Sequence, residues 1–511
     1  MASRVLGVVR EQVLAAYFGA GNAMDAFNVA FRIPNLVRDL FAEGAMSAAF
    51  VPTFTRKLTN EGRESAWRLG NHVLNALLLI TGVLVMLGII FARPLVTAFA
   101  GDYADVPGKL DLTVFLTRIM LPFLTLVALA AAFMGMLNSL HKFFIPALSP
   151  AMFNVGTIVC AVGLVPLMPR WGLPGITAVA IGTVIGGLLQ AATQWPSLKR
   201  EGFHYRPELD FRDEGLHRVL VLMGPGTLGL AATQVNVFVN TVLATGAGTG
   251  AVSWLNYAFR LMYLPIGLFG VSIATATVPT VSRHAAQQDR PGIRRTIADA
   301  LSLMLMLNVP ATVGLIALST PIIRLIFERR AFTAVDTAAT AAALQFYAIG
   351  LIGYSVVRIA SPTFYALDES RTPVKVSIAS VLVNAALNIA LVRVMGYRGL
   401  ALGTSIAALV NAALLMFLLR RRLDGLEGRR VATAFAKITI ASALMGGAAI
   451  LVDRYSAQWI AGTGLGSQLI RLAAAIAAAV AVLAGAAHVL HIDEFRRGVA
   501  LVTSRLRRRR S

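Results

Sequence analysis

Fourteen long apolar stretches divide the chain, near residues 4–20, 24–55, 71–99, 113–139, 143–168, 172–198, 218–245, 251–282, 296–327, 338–367, 374–395, 398–420, 433–453 and 467–491. A helix needs about 20 apolar residues to cross a hydrocarbon core about 30 Å thick, and most of the stretches reach that length. Inside a bilayer no water satisfies the backbone, so such runs must be helical. The chain has 511 residues, 57% of them hydrophobic and 14% charged, with a mean hydropathy of +0.71, which leaves little for an extramembrane domain. The expected fold is an all-α polytopic membrane protein of about 14 transmembrane helices.

The formal net charge of +21 suggests nucleic acid until its distribution is read. Loops after even-numbered stretches and the C-terminal tail hold 28 Lys and Arg, including Arg56, Lys57, Lys199, Arg283, Arg420 to Arg422, Arg505 and Arg507 to Arg510. The opposite loops hold seven, among them Lys109, Arg329 and Arg330. The positive-inside rule then puts both termini in the cytoplasm, and no nucleic-acid partner is expected. The final arginine run reads as a cytoplasmic stop signal, with anionic bilayer lipid as its alternative partner. No cleavable signal peptide is visible. The first stretch barely reaches across the bilayer, as a truncated start or a helix beginning inside the membrane would explain.

Chemistry is largely excluded. A single cysteine, Cys160, rules out an internal disulfide, a redox pair and a thiolate zinc cage. Of seven histidines only His488 and His491 share helical spacing, at the end of an apolar stretch, so no metal site is expected. Gly108-Lys109 is followed by Leu110 and lacks the P-loop spacing, GTGLGS at 462–467 is a loop, and no nucleophile elbow or His-Glu-x-x-His occurs. Gly175, Gly182 and Gly186 read as a close-packing ridge. The chain reads as a transporter without a cofactor, not an enzyme.

An internal repeat organises it. AGNAMDAFNVAFRIPNL…AAFVPTFTR (20–56) is echoed by AGTGAVSWLNYAFRLMYL…TATVPTVSR (247–283), with Ala30-Phe31-Arg32 matching Ala258-Phe259-Arg260. An even number of spans separates the copies, so the halves are parallel repeats about an axis along the membrane normal. The expected organisation is two six-helix lobes around a central cavity, at 1–198 and 218–420, two appended helices at 433–491 and a basic cytoplasmic tail at 492–511.

The exception to apolarity lies in the first two stretches, which hold Arg4, Arg10, Glu11, Asp25, Arg32, Arg38, Asp39 and Glu43. Each costs at least about 2.5–3.5 kcal/mol at the bilayer centre, so these charges must face water, one another or a ligand. At 100° per residue Asp25, Arg32 and Asp39 share a stripe, with Glu43 one turn beyond. Two readings stand: a structural set of Arg–carboxylate pairs, or an anion site with arginines left over. Arg10 and Arg38 have no acid in the stripe, and Arg260 adds a cation from the other half. Arginine's fork suits a bidentate phosphate.

SRVLGVVREQVLAAYFGAG, MDAFNVAFRIPNLVRDLFAEGAMSAAFVPTFTR, SWLNYAFRLMYLPIGLFGVSIATATVPTVSR and SPTFYALDESRTPVKVSI closely resemble the MviN/MurJ family of bacterial lipid II flippases, in the multidrug/oligosaccharidyl-lipid/polysaccharide exporter superfamily. The resemblance runs to about residue 420. It implies a fourteen-helix inner-membrane protein that carries undecaprenyl-pyrophosphate-linked peptidoglycan precursor, lipid II, to the periplasmic face by alternating access. The extra helix pair would border a groove for the lipid tail. By motif, the family's headgroup arginines fall on Arg4, Arg10, Arg38 and Arg260, its TDAF acid on Asp25 and its FAEGA glutamate on Glu43. Arg32 and Asp39 complete the supporting polar network.

There are two departures. Members usually carry about three more helical turns before SRVLG, and some have acids near the second-lobe arginine where this chain has Phe259 and Tyr263. The resemblance also implies a monovalent cation or the membrane potential as the drive. Positions comparable to a relative's sodium site are Asn236 or Asn240, Asn384, Asn388 and Thr404, where hydrogen bonding between helices is the competing reading. Other cell-wall synthesis proteins are candidate partners. Alternative functions are a flippase of another polyprenyl-pyrophosphate glycan, a cation-coupled multidrug exporter and a non-transport scaffold for cell-wall assembly.

Overall fold

The computed structural model describes residues 2–39, 46–460, 462 and 464–496. Glu43, Arg505 and Arg507 to Arg510 lie outside these. Among the described residues the chain is helical and contains no strand. The helices group into two compact units, Met1–Ser253 with Arg329–Thr333, and Trp254–Glu328 with Ala334–Ser511.

The first unit holds α1 (Ala2–Phe18), α2 (Asn22–Arg38), α3 (Met46–Asn60), α4 (Arg63–Ile90), α5 (Ala92–Ala100), α6 (Lys109–Met120), α7 (Phe123–Ser139), α8 (Phe144–Leu164), α9 (Thr177–Ala192), α10 (Trp195–Arg200) and α11 (Glu214–Thr245). The sequence division opens the second lobe at 218. In the structure α11 packs on α3, α4 and α5 and groups with the first unit.

The second unit contains most of α12 (Ala251–Pro265), a π-turn at Ile266–Gly270, α13 (Val271–Ala286), α14 (Arg290–Ala317), α15 (Ser319–Phe327), α16 (Ala334–Ala366), α17 (Arg371–Met395) and α18 (Tyr397–Arg422). The appended pair, α19 (Gly428–Trp459) and α20 (Leu465–Val489), packs on α14 and α15. Met445, Ala449, Leu472 and Ala475 are buried there with Leu318.

Ten helical segments among the described residues are long and apolar enough to cross a membrane. The stretches outside this set are 4–20, 24–55, 218–245 and 251–282, the first two of each half. Of these, α1 has 17 residues, 24–55 carries several charges and α12 gives way to the π-turn, whereas α11 runs unbroken over 32 residues.

With lipid as apolar as the side chains, close backbone approach drives helix association. Gly156 and Gly186 bring α8 and α9 together, a Cβ on Gly156 falling 2.8 Å from Gly186 Cα. Gly182 meets Thr157 and Cys160, so it and Gly186 form the expected ridge, whereas Gly175 has only ordinary contacts. In the second unit Gly350 and Gly353 seat α16 against Ser405 and Ala408 of α18. Elsewhere apolar side chains face outward, as with Ile378, Leu382 and Ile389 on one side of α17.

The linker 199–217 is held against α4 by a polar ladder. Asn71 donates to the His204 carbonyl and accepts from the Arg206 N–H, while Asn75 donates to the Arg206 and Glu208 carbonyls. Asp213 then caps α11, accepting from Leu216 N at 2.8 Å and from Lys57 Nζ at 3.3 Å. Burial pushes the Asp213 carboxyl up, but the Leu216 N–H and the Lys57 ammonium together hold it below the usual carboxylate value.

Two outcomes follow from this packing. Gly353→Leu would place its Cβ 2.6 Å from the Ala408 backbone. It should destabilise the protein by about 1–3 kcal/mol or more, read as a lower melting temperature in detergent. Because the native Asp213 pKa is depressed, its contribution is full above the unfolded carboxyl value and is lost as pH falls through the native one. Asp213→Asn should therefore lower the melting temperature at neutral pH, and the gap to wild type should close in acid.

Candidate functional site

In the first unit Arg10 and Arg38 are answered by the residue that follows each. Arg10 is 7% and Glu11 4% exposed, and Glu11 Oε1 accepts from Arg10 Nη2 at 2.7 Å and Nε at 3.3 Å. The Arg10 guanidinium also stands 5.2 Å from the Phe153 ring centroid, a cation–π contact from α8. Arg38 repeats the arrangement with Asp39, Nη2 at 2.7 Å and Nε at 3.1 Å from Oδ1, in a half-buried setting. The stripe offered neither arginine an acid, yet each guanidinium turns to the carboxylate of the next residue. Arg4 is exposed and Arg32 half-buried.

Asp25 leaves the stripe altogether. Fully buried in α2, it accepts from Lys109 Nζ at 3.0 Å, Gly250 N at 2.7 Å, Ser253 N at 3.1 Å and Ser253 Oγ at 2.7 Å. Four donors match the four lone-pair sites of a carboxylate. Two of them are backbone N–H groups at the start of α12, where the helix dipole favours a negative charge. Asn28 donates to Ser253 Oγ and Thr249 donates to Asn22, which extends the seam. Asp25 is thus a positioning residue, its oxygens fully used by the protein.

Lys109, which the sequence reading counts as a loop cation, is 3% exposed and stands 4.0 Å from the Tyr103 ring centroid. Nothing in the sequence links it to a residue 84 positions earlier. Beside this seam Gly19, at φ +58°, turns α1 into α2. Ala331 N donates to Ala16 O, and a Cβ on Gly19 would strike Ala331 O at 2.4 Å, so only glycine fits.

In the second unit Arg260 is exposed on α12. Three residues on, Tyr263 stacks on Phe259, with ring centroids 5.9 Å apart, and its hydroxyl accepts a hydrogen bond from Arg358 Nη2. Arg358 lies on α16 and went unnoticed in the sequence inside stretch 338–367. Its signal was simply a guanidinium within an otherwise apolar run.

The suggested cation ligands do not form one cluster within either unit: Asn236 and Asn240 lie on α11 of the first, and Asn384, Asn388 and Thr404 belong to the second. Asn388 Nδ2 donates to Asn384 Oδ1 at 2.8 Å within α17, and Thr404 donates to the Leu400 carbonyl. A Cβ on Gly403 would fall 2.1 Å from Asn388 Oδ1, so α18 closes over the pair. Among the described residues no His, Cys, Asp or Glu cluster could hold a metal. Asn388 is thus bonded to Asn384 along its own helix, and Thr404 to the backbone of its own.

Comparison with known proteins now places this arrangement. A multidrug resistance MATE family transporter of the MOP superfamily, in an inward-facing conformation, matches with a TM-score of 0.71 over 83% of this chain and 96% of that one, at 16% identity. The two chains therefore share a fold. The family model for lipid II flippase MurJ matches residues 14–468. A probable lipid II flippase MurJ from Bdellovibrio bacteriovorus is 34% identical over 97% of this chain and 94% of its own length. The lipid II flippase MurJ of Burkholderia cenocepacia is 35% identical over 82% of this chain and 81% of its own. A structure of lipid II flippase MurJ in an inward closed conformation aligns with a TM-score of 0.78 at 29% identity, covering 96% of this chain and 97% of that one. The chain belongs to the lipid II flippase MurJ family.

The Asp25 seam can be tested directly. Lys109→Met strands a buried carboxylate, a loss of about 3–5 kcal/mol, and should sharply lower the detergent melting temperature. Adding Asp25→Asn should recover part of it, because the amide needs no counter-charge.

Proposed function

We propose that this chain is a lipid II flippase, moving undecaprenyl-pyrophosphate-linked peptidoglycan precursor from the cytoplasmic to the periplasmic face of the inner membrane by alternating access, with both termini cytoplasmic. Family membership over nearly the whole chain carries the reading. The charge pattern supports it: Arg4, Arg10, Arg38 and Arg260 fall in stretches 4–20, 24–55 and 251–282, the last two at matching positions of the repeat. Interrupted segments at matching positions of a repeat point to a transporter's binding site. Guanidinium groups there suit a pyrophosphate headgroup, whereas cationic drugs would need acids. Asp25, Arg32, Asp39 and Glu43 would hold these cations in place. The membrane potential is a candidate drive, worth about 2.3 kcal/mol per charge per 100 mV.

Complementation of cells depleted of their own lipid II flippase tests the reading. Arg38→Ala should abolish growth while protein reaches the membrane at normal levels, because the pair with Asp39 is half-buried and its loss strands little. Arg10→Ala removes the guanidinium that answers the buried Glu11 carboxylate, so it should also reduce protein level. Adding Glu11→Gln should restore the level without restoring growth. Normal growth with Arg38→Ala would remove that arginine from the headgroup site, and failure of the wild type to complement would sink the function.

A further inference from the structure

Arg358 is an intramembrane cation that nothing above employs. Eight residues from the end of α16, it lies about 12 Å inside the helix. A guanidinium within an apolar span is costly unless it is compensated or faces an aqueous path. The described residues give it no carboxylate, and its hydrogen bond and its ring contact, 5.7 Å to the centroid, both go to Tyr263.

The geometry around the pair is built. The Arg358 stem lies by Gly270, where an added Cβ would sit 3.8 Å from Cδ, so the π-turn at Ile266–Gly270 leaves room for it. Such turns often mark functional positions in helices. Behind Tyr263, Phe259 packs edge-on to Tyr347 with centroids 5.4 Å apart, which fixes the ring while the tyrosine itself stays 40% exposed. Arg260, three residues before Tyr263, shares its helix face.

The chemistry is one-sided. The guanidinium has only donors, and the phenol oxygen already accepts from it, which leaves the phenol O–H free to donate. With Arg260 nearby on that face, the surface offers cations and donors and no acid from Tyr263 or Arg358. Such a surface attracts a multivalent oxyanion.

We propose that Arg358, presented by Tyr263, is a further headgroup-binding cation that takes the pyrophosphate of the lipid-linked substrate together with Arg260. The proposal rests on the lipid II reading for the identity of the anion, but not for the existence of the anion site.

The test measures binding of inorganic pyrophosphate and of lipid II to the full-length protein in lipid nanodiscs, for wild type, Arg358→Gln, Arg358→Lys and Tyr263→Phe, with melting temperatures alongside. Loss of a charge-assisted contact should weaken both probes about ten- to a hundredfold in Arg358→Gln. Arg358→Lys should lose less, and Tyr263→Phe, which keeps the ring, should fall between wild type and Arg358→Gln. Wild-type affinity of Arg358→Gln for both probes overturns the proposal. So does a fall in its melting temperature with binding per folded molecule preserved, which marks a structural pair. Should Arg358→Gln fail to fold, wild-type binding by a folded Tyr263→Phe overturns it too. Pyrophosphate binding that depends on Arg358, without any lipid II binding, keeps the anion site and removes the lipid II reading. Lipid II bound equally by wild type and Arg358→Gln, with pyrophosphate binding also unchanged, removes the anion site and leaves the lipid II reading standing.

Discussion

A charge inside a bilayer has to be answered where it stands, and the answers available in this chain organise its polar residues. Three kinds of answer appear. Arg10 and Arg38 take the carboxylate of the next residue, and Arg10 adds the Phe153 ring. Asp25 takes four donors from three residues. Arg358 takes a phenol. These differ in what they leave over. A carboxylate with four donors is saturated and can only position its surroundings, whereas a guanidinium held on one edge keeps its character as a donor. That difference separates the scaffold of the first unit from the residues suited to a passing anion.

The same solvent sets how the helices meet. Because lipid competes equally for apolar surface, the contacts that decide packing are those where backbone meets backbone. Gly156, Gly182 and Gly186 do this in the first unit, and Gly350 and Gly353 in the second. Where water is available the means change. The linker 199–217 is fastened by amide side chains and by the Asp213 cap, polar contacts that need no counterpart in the spans. The chain thus uses small residues at depth and hydrogen-bonding side chains at the surface, each where it is the stronger device.

Much of this was legible in the sequence. Runs of about 20 apolar residues can only be helices in lipid, so the all-α architecture followed from composition and spacing. The close-packing role of Gly182 and Gly186 was readable because glycines at i and i+4 share a face. The charged first two stretches stood out because every charge at depth is costly, and the echo between Arg32 and Arg260 showed where to look in the second half. Arg358 carried the same signal and was passed over only because its surroundings are apolar enough to hide one guanidinium.

What the sequence could not supply were partners. Helical stripe arithmetic treats a side chain as a fixed spoke, and so it missed Arg10 with Glu11 and Arg38 with Asp39, neighbours about 100° apart whose long stems bend together. It joined Asp25 to Arg32 and Asp39, whereas the fold brings it Lys109, Gly250 and Ser253 from distant segments. It placed Asn384 and Asn388 on one face, and the fold bonds one to the other. It opened the second lobe at 218, and contacts group α11 with the first unit. Sequence alone determined which segments lie in the membrane and which charges are costly there, because solvation acts on each residue by itself. Tertiary structure alone decided which group answers each charge, because a hydrogen bond needs two atoms within about 3 Å and chain position says nothing of that distance.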